Sequence, residues 1–354
     1  MTIQGIDHVE WYVNDLDGSA AALGHDWGFR ITSQPVRPGW PGPEPGARGR
    51  SLLLRQGQVA LLLTAGLDPD HPAAQYVRRH GDGVATIAFR TDDVHEAFRT
   101  AVAAGAEPLA APAFADHGGG RVRTATVAGF GDVTHLLVQS DYDAQAPPEG
   151  GEDGDMLETI DHVAVCVPAG RLDATVAFYH GAFGLTQVFD ERVEANGQAM
   201  LSKVVQDQAR SVTFTLIEPD STLGPGQIDQ FLDAHGGAGV QHLAFGTADI
   251  AHAVRTIAAR GVEFLAAPPG YYQTLETRLG ALAIPVSELE ALNVLADRDR
   301  WGDLFQIFTR STHERHTFFM ELIERQGALT FGSANIRALY EALGKEQASA
   351  TLPS

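Results

Sequence analysis

Gly83-Val84-Ala85-Thr86-Ile87-Ala88-Phe89 and Gly239-Val240-Gln241-His242-Leu243-Ala244-Phe245 stand 156 residues apart and spell nearly the same segment. The same spacing carries Val94 onto Ile250, and Gly105, Glu107, Leu109 and Pro112 onto Gly261, Glu263, Leu265 and Pro268. Agreement held without a gap from Gly83 to Pro112 is the mark of an internal repeat. A spacing of 154 then lays Ile6-Asp7-His8-Val9 on Ile160-Asp161-His162-Val163. The chain therefore reads as two copies of one module. Between them, Asp141 to Asp155 (DYDAQAPPEGGEDGD) is rich in Pro, Gly and acid and nearly free of aliphatics, the composition of a linker. The expected division is an N-terminal half over 1–140, a linker over 141–157 and a C-terminal half over 158–354.

Inside each copy the pattern alternates between periods of two and 3.6. His162 to Val167 is a β-branched run of strand length with His162 at its start, and Leu172, Val176, Tyr179 and Phe183 follow at helical spacing. Val240 to Phe245 forms a second strand, and Ile250 to Ala259 a helix closed by Gly261. Late strands are expected at Leu304 to Thr309 and Thr317 to Ile323. Ile336, Leu339, Tyr340 and Leu343 share one face of a terminal helix with Ser333 as its cap. Each copy is thus a doubled βαβββ unit, an α+β fold.

Composition narrows the function classes. A length of 354 residues is about two domains at roughly 150 residues each. The 25 Lys and Arg against 45 Asp and Glu give a net charge of −20, which repels phosphate backbones and anionic headgroups. Nucleic acid and membrane are thereby excluded as partners. Cys166 is the single cysteine, so there is no intramolecular disulfide and no Cys-rich zinc module. With no secretory n- and h-region at the start and no long apolar run, a soluble cytoplasmic protein is expected.

Three residues of the second copy stand out as candidate ligands. His162 and His242 lie in its strands, and Glu321 places a carboxylate inside Phe318-Phe319-Met320-Glu321-Leu322-Ile323, which is costly unless the charge is paired or bound to a cation. Two imidazoles and a carboxylate from three strands suit a ferrous facial triad with open positions for substrate and dioxygen. Zinc takes the same ligand types, although no helical HExxH is present. Copy one keeps His8 but has Thr86 in place of His242, and Thr134 to Gln139 offers no carboxylate. The first half should not bind the metal.

IDHVAV, GVQHLAF, FFMELIERQG and TFGSANIRALYEAL together resemble the hydroxymandelate synthase / 4-hydroxyphenylpyruvate dioxygenase family of the vicinal-oxygen-chelate superfamily, over nearly the whole chain. The resemblance implies two tandem vicinal-oxygen-chelate domains forming open barrels, a non-catalytic first domain, and Fe(II) held by His162, His242 and Glu321. It further implies 4-hydroxyphenylpyruvate and O2 as substrates, and pocket or supporting roles for Ser202, Thr215, Ile217, Gln227, Gln241, Gln306, Phe308, Phe331, Asn335 and Ile336. Family members form either homogentisate or 4-hydroxymandelate. Thr215-Leu216-Ile217-Glu218-Pro219 departs from the PxNEP of the homogentisate formers, and Ile336 from the Phe of GNF, so oxidative decarboxylation and benzylic hydroxylation to 4-hydroxymandelate and CO2 is the expected reaction. Homogentisate formation is the alternative, and a non-catalytic binding protein of the same fold a further one. The resemblance also implies a homodimer, a terminal helix from Phe331 to Leu343 that closes the pocket, and supply of hydroxyphenylglycine for a peptide antibiotic.

Overall fold

The computed structural model describes residues 3–32, 48–117, 120–140, 155–195, 197–268 and 270–339. The first copy runs β1 (Ile3–Tyr12), α1 (Leu16–Trp27), β2 (Arg30–Ile31), β3 (Gly49–Gln56), β4 (Val59–Gly66), α2 (Pro72–His80), β5 (Gly83–Thr91), α3 (Val94–Ala103), β6 (Pro108–His117), β7 (Gly120–Ala128) and β8 (Thr134–Ser140). The second runs β9 (Thr159–Cys166), α4 (Leu172–Phe183), β10 (Thr186–Ala195), β11 (Gln198–Gln206), β12 (Thr213–Pro219), α5 (Gln227–His235), β13 (Gly239–Gly246) and α6 (Ile250–Ala259). It continues through α7 (Leu275–Leu279), α8 (Val286–Leu292), β14 (Leu295–Arg298), β15 (Asp303–Phe308) and β16 (Phe319–Gln326) to a last helix, α9, over 333–339.

Each copy makes one sheet of eight strands, ordered β2-β3-β4-β1-β5-β8-β7-β6 and β10-β11-β12-β9-β13-β16-β15-β14. The two orders are identical under the repeat. In each sheet two βαβββ units meet antiparallel at the centre, β1 on β5 and β9 on β13. The repeat reaches the caps: Asp93 accepts the backbone N–H of Glu96 at the start of α3, and Asp249 that of His252 at the start of α6. Gly261, past the end of α6, has φ +102°, which a β-carbon would strain.

The outer faces of both sheets and their helices share one apolar core. Trp27 and Phe29 of the first copy meet the Phe245 ring of the second at 5.9 and 6.1 Å, and Phe89 meets Phe214 at 6.1 Å. The inner face of the second sheet has a separate apolar cluster of Ala164, Cys166, Val193, Ala195, Met200, Ile217, Ile228 and Phe231. That separation makes the second sheet a cup whose concave face is independent of the structural core.

Several expectations shift. His162 lies in mid-strand rather than at the start, because Thr159 already pairs with Gly246. The late strands are Asp303–Phe308 and Phe319–Gln326. Ser333 does not cap the terminal helix. Gly332 holds that place, its carbonyl accepting from the N–H groups of Asn335 and Ile336, and the Asp297 carboxylate takes the N–H of Ala334. The expected linker falls mostly outside the described residues, as do Tyr340 and Leu343 of the expected helix. Among the described residues no helix is long and apolar enough to cross a membrane.

Candidate metal centre

The three central strands β9, β13 and β16 bring His162, His242 and Glu321 together. Ala244 is opposite His162 on one side and Glu321 on the other, while His242 is opposite Ala164 and Phe319. Strict alternation alone would not produce this. The β9–β13 register slips at two points, skipping Asp161 and Gln241, so each histidine stands beside an extra, bulged residue. His162 Nε2 lies 3.3 Å and His242 Nε2 3.4 Å from Glu321 Oε2. One ligand atom from each residue falls within 4.8 Å of the others, and all three side chains are buried. Among the described residues no other group of His, Cys, Asp or Glu converges in this way.

The surrounding groups fix the orientation of each. Asp161 Oδ1 is 2.8 Å from His162 Nδ1, leaving Nε2 aimed at the centre, and Arg325 holds both oxygens of Asp161 at 2.6 and 2.9 Å. Gln306 Nε2 donates to Glu321 Oε1 at 2.8 Å, so Oε2 is the oxygen that faces the imidazoles. Phe319 stacks on His242 at 4.7 Å.

Charge follows from this packing. Burial pushes the Glu321 carboxyl up, but the two imidazoles overcome it and bring the group down to about 2. Burial pushes His162 down, yet Glu321 and Asp161 outweigh that and hold it up at about 9. His242 is pushed down, because burial exceeds the help it receives from Glu321. Two buried imidazole nitrogens facing a buried carboxylate oxygen are the place a divalent cation would take. The donor set, one anionic oxygen and two aromatic nitrogens with an apolar cup in front, fits a first-row transition metal.

The other expected site residues are placed as follows. Ser202, Thr215 and Ile217 are buried on β11 and β12 with Ile217 in the cup's apolar cluster, and Ile336 packs against that cluster from α9. The hydroxyls of Ser202 and Thr215 are buried and have no hydrogen-bond partner among the described residues. Gln227 is buried at the start of α5, the helix that also lends Ile228 and Phe231 to the cup. Phe308 and Phe331 put rings 6.2 Å from His242 and 5.4 Å from His162. Gln241 occupies the bulge beside His242 and so lies off the strand's alternation. Gln306 and Asn335 are bonded to each other, Asn335 Nδ2 donating to Gln306 Oε1 at 2.9 Å.

Known proteins match this arrangement. The family model "Glyoxalase/Bleomycin resistance protein/Dioxygenase superfamily" fits residues 159–306, and "Hydroxyphenylpyruvate dioxygenase, HPPD, N-terminal" fits residues 47–147. A 4-hydroxyphenylpyruvate dioxygenase of Aspergillus fumigatus is 32% identical over 98% of this chain and 93% of its own length. The chain belongs to the 4-hydroxyphenylpyruvate dioxygenase family. A zebrafish (Danio rerio) member with the same name is 30% identical over 96% of this chain and 90% of its own. A solved structure of a triple mutant of 4-hydroxymandelate synthase from Streptomyces coelicolor superposes with a TM-score of 0.86 at 42% identity, over 98% of this chain and all (100%) of that one. The dioxygenase family thus spans both copies, and the relatives carry two names, 4-hydroxyphenylpyruvate dioxygenase and 4-hydroxymandelate synthase.

Sequence reasoning missed several residues at the centre. Phe319 was visible as the residue two before Glu321, hence on the same face. Asp161 precedes His162 as Asp7 precedes His8, a repeated pair that marks a shared bulge. Arg325 carried no local signal.

Proposed function

We propose that this protein holds a ferrous ion through His162, His242 and Glu321 and converts 4-hydroxyphenylpyruvate and O2 to 4-hydroxymandelate and CO2. The observation that carries this reading is the convergence of the three buried ligand atoms within 4.8 Å on the central strands of a sheet whose inner apolar cluster holds Ile217, with Ile336 packed against it. Bound there, ferrous iron would supply the redox chemistry and a template for a 2-oxo acid and dioxygen. The chain's own residues do the rest. Asp161 and Gln306 fix the faces that His162 and Glu321 present. The unpartnered hydroxyls of Ser202 and Thr215 are available to polar groups of the substrate. Val193, Phe231, Ile217 and Ile336 offer the aromatic ring only apolar surface, so packing alone sets which carbon faces the oxidant. A displacement of about 1 Å can change reactivity about a hundredfold, enough to favour the benzylic carbon over the ring. Phe331 and α9 exclude water.

The reading extends to the rest of the chain: residues 1–140 as a non-catalytic domain, 141–157 as linker, 158–354 as the catalytic domain, and a cytoplasmic homodimer. The test is chromatography of the aromatic product formed from 4-hydroxyphenylpyruvate under air by Fe(II)-reconstituted protein. Hydroxymandelate is the expected product. Homogentisate, favoured by the names of the curated relatives, would replace this reading with the second one. Absence of turnover with intact ligand binding would leave a binding protein.

A further inference from the structure

A chain of buried hydrogen bonds runs from the loop before α7 to the carboxylate of Glu321, and its polarity is fixed throughout. Glu321 Oε1 is an acceptor, so Gln306 must present its amide nitrogen there, 2.8 Å away. Gln306 Oε1 then faces Asn335 and takes the Asn335 Nδ2 proton at 2.9 Å. Asn335 Oδ1 is left as an acceptor, and the group that meets it is the Tyr271 hydroxyl at 2.7 Å. Tyr271 has one proton to give. Its oxygen accepts the N–H of Ala296 at 2.9 Å, and its proton has two acceptors in reach, the Ala296 carbonyl at 2.8 Å and Asn335 Oδ1 at 2.7 Å. The carbonyl is already served by Arg278 Nη2 at 3.0 Å, whereas Asn335 Oδ1 would otherwise press on a bare oxygen, so the hydroxyl proton goes to Asn335. Gln306 and Asn335 are almost wholly enclosed, at 3% and 0% exposure, so water cannot replace a missing member.

Asn335 belongs to α9, whose first turn is also held by the Asp297 carboxylate on the Ala334 N–H and by Glu191 on the Ser333 side chain. Tyr271 belongs to the barrel rim. We propose that Tyr271 is a positioning residue: its hydroxyl latches α9 to the rim and, through Asn335 and Gln306, commits Glu321 to turn Oε2 toward His162 and His242. Docking of the terminal helix and readiness of the carboxylate are then one event. This rests on the metal-centre reading for its consequence, but the latch itself is a property of the unloaded protein.

The experiment uses the full chain with Co(II), a probe that does not consume dioxygen, and hydrogen exchange of the amides in 333–339. Wild type should bind Co(II) with visible ligand-field bands. Tyr271→Phe should speed exchange in 333–339 and weaken Co(II) binding about tenfold; Asn335→Asp, the same shape with no proton for Gln306, should weaken it about a hundredfold by turning the Gln306 oxygen toward Glu321. In a Gln306→Ala background the Tyr271→Phe effect on Co(II) affinity should vanish, whereas mere loss of packing would add. Unchanged exchange in Tyr271→Phe, or additive losses in the double variant, overturns the latch. Failure of wild type to bind Co(II) overturns the metal-centre reading instead and leaves the exchange result to decide the latch.

Discussion

The two cups have the same strand order and share two bulges, at Asp7 and Ala85 in the first and at Asp161 and Gln241 in the second, the first adding a further slip at Gln4. Both place an aspartate 2.8 Å from the Nδ1 of the following histidine, His8 or His162. They differ in what faces inward. The register puts Thr86 where the second cup has His242 and Leu136 where it has Glu321. Beyond the histidine, β1 continues inward with Glu10 and Tyr12, whereas β9 continues with Ala164 and Cys166. Glu10 is bonded to Thr64 at 2.8 Å, and burial raises its pKa. The inner face of the first cup thus carries large side chains where that of the second carries small ones.

The largest effect that can break this contrast is Glu321→Ala. Metal affinity should fall by more than about a hundredfold, beyond what partners outside the ligand set command, and turnover should drop to background. Isothermal titration with Co(II) and an oxygen-electrode assay check both. Retained affinity would mean that the second cup is no more a metal site than the first.

A second contrast lies in the shared core. His135 stands in β8 where the register of the second copy has Met320. It is fully enclosed, 3.0 Å from the Tyr179 hydroxyl and stacked on Phe89 at 4.8 Å. Burial pushes its pKa down to about 4, against a weaker opposing bond to the Ile87 carbonyl. The folded state therefore binds its proton later than the unfolded chain does, and stability is lost as pH falls from about 6.5 towards about 4, by on the order of 3 kcal/mol. His135→Met copies the other half and should flatten that acid limb in urea titrations at stepped pH, even though Tyr179 loses a partner. An unchanged slope would assign the acid sensitivity elsewhere.

Ala164→Glu writes the first cup's Glu10 into the second. Overpacking of this kind costs about 1–3 kcal/mol. Turnover should fall with kcat/KM by about thirtyfold, roughly 2 kcal/mol, while Co(II) still binds. Equal kinetics would show that the second cup is not where substrate sits.

The sequence made the repeat legible because β5 and β13 are buried on both faces and spell nearly the same apolar run. The candidate ligands were legible because a carboxylate in Phe319-Met320-Glu321-Leu322 cannot be neutral packing. The larger inner face of the first cup was harder to read. Glu10 and Ala164 are aligned residue for residue, but only the bulges at Asp7 and Asp161 reveal which neighbours face inward, and a bulge leaves no mark in period-two alternation. Tyr271 and Asn335 are 64 residues apart and meet only through the tertiary fold, so no spacing rule connects them. The cap of α9 was misplaced by one residue because Asp297, distant in sequence, does the work a local serine would have done.

The smallest effect concerns product choice within the second cup. Ile217 lies opposite Cys166 on one side and Ser202 on the other, on the inner face, and Ile336 reaches the same cluster from α9. Ile217→Asn adds a donor and an acceptor to an apolar wall and removes the β-branch. Both changes move the ring without touching a metal ligand. A tenfold change in the ratio of benzylic to ring attack needs only about 1.4 kcal/mol, well within what one buried polar group can supply. Ile217→Asn, alone or with Ile336→Phe, should therefore make homogentisate detectable beside hydroxymandelate, with total oxygen uptake reduced less than the product ratio changes. If the ratio stays fixed while uptake falls, the aliphatic wall holds the substrate without choosing its fate, and the selecting groups must be sought at Ser202 and Thr215.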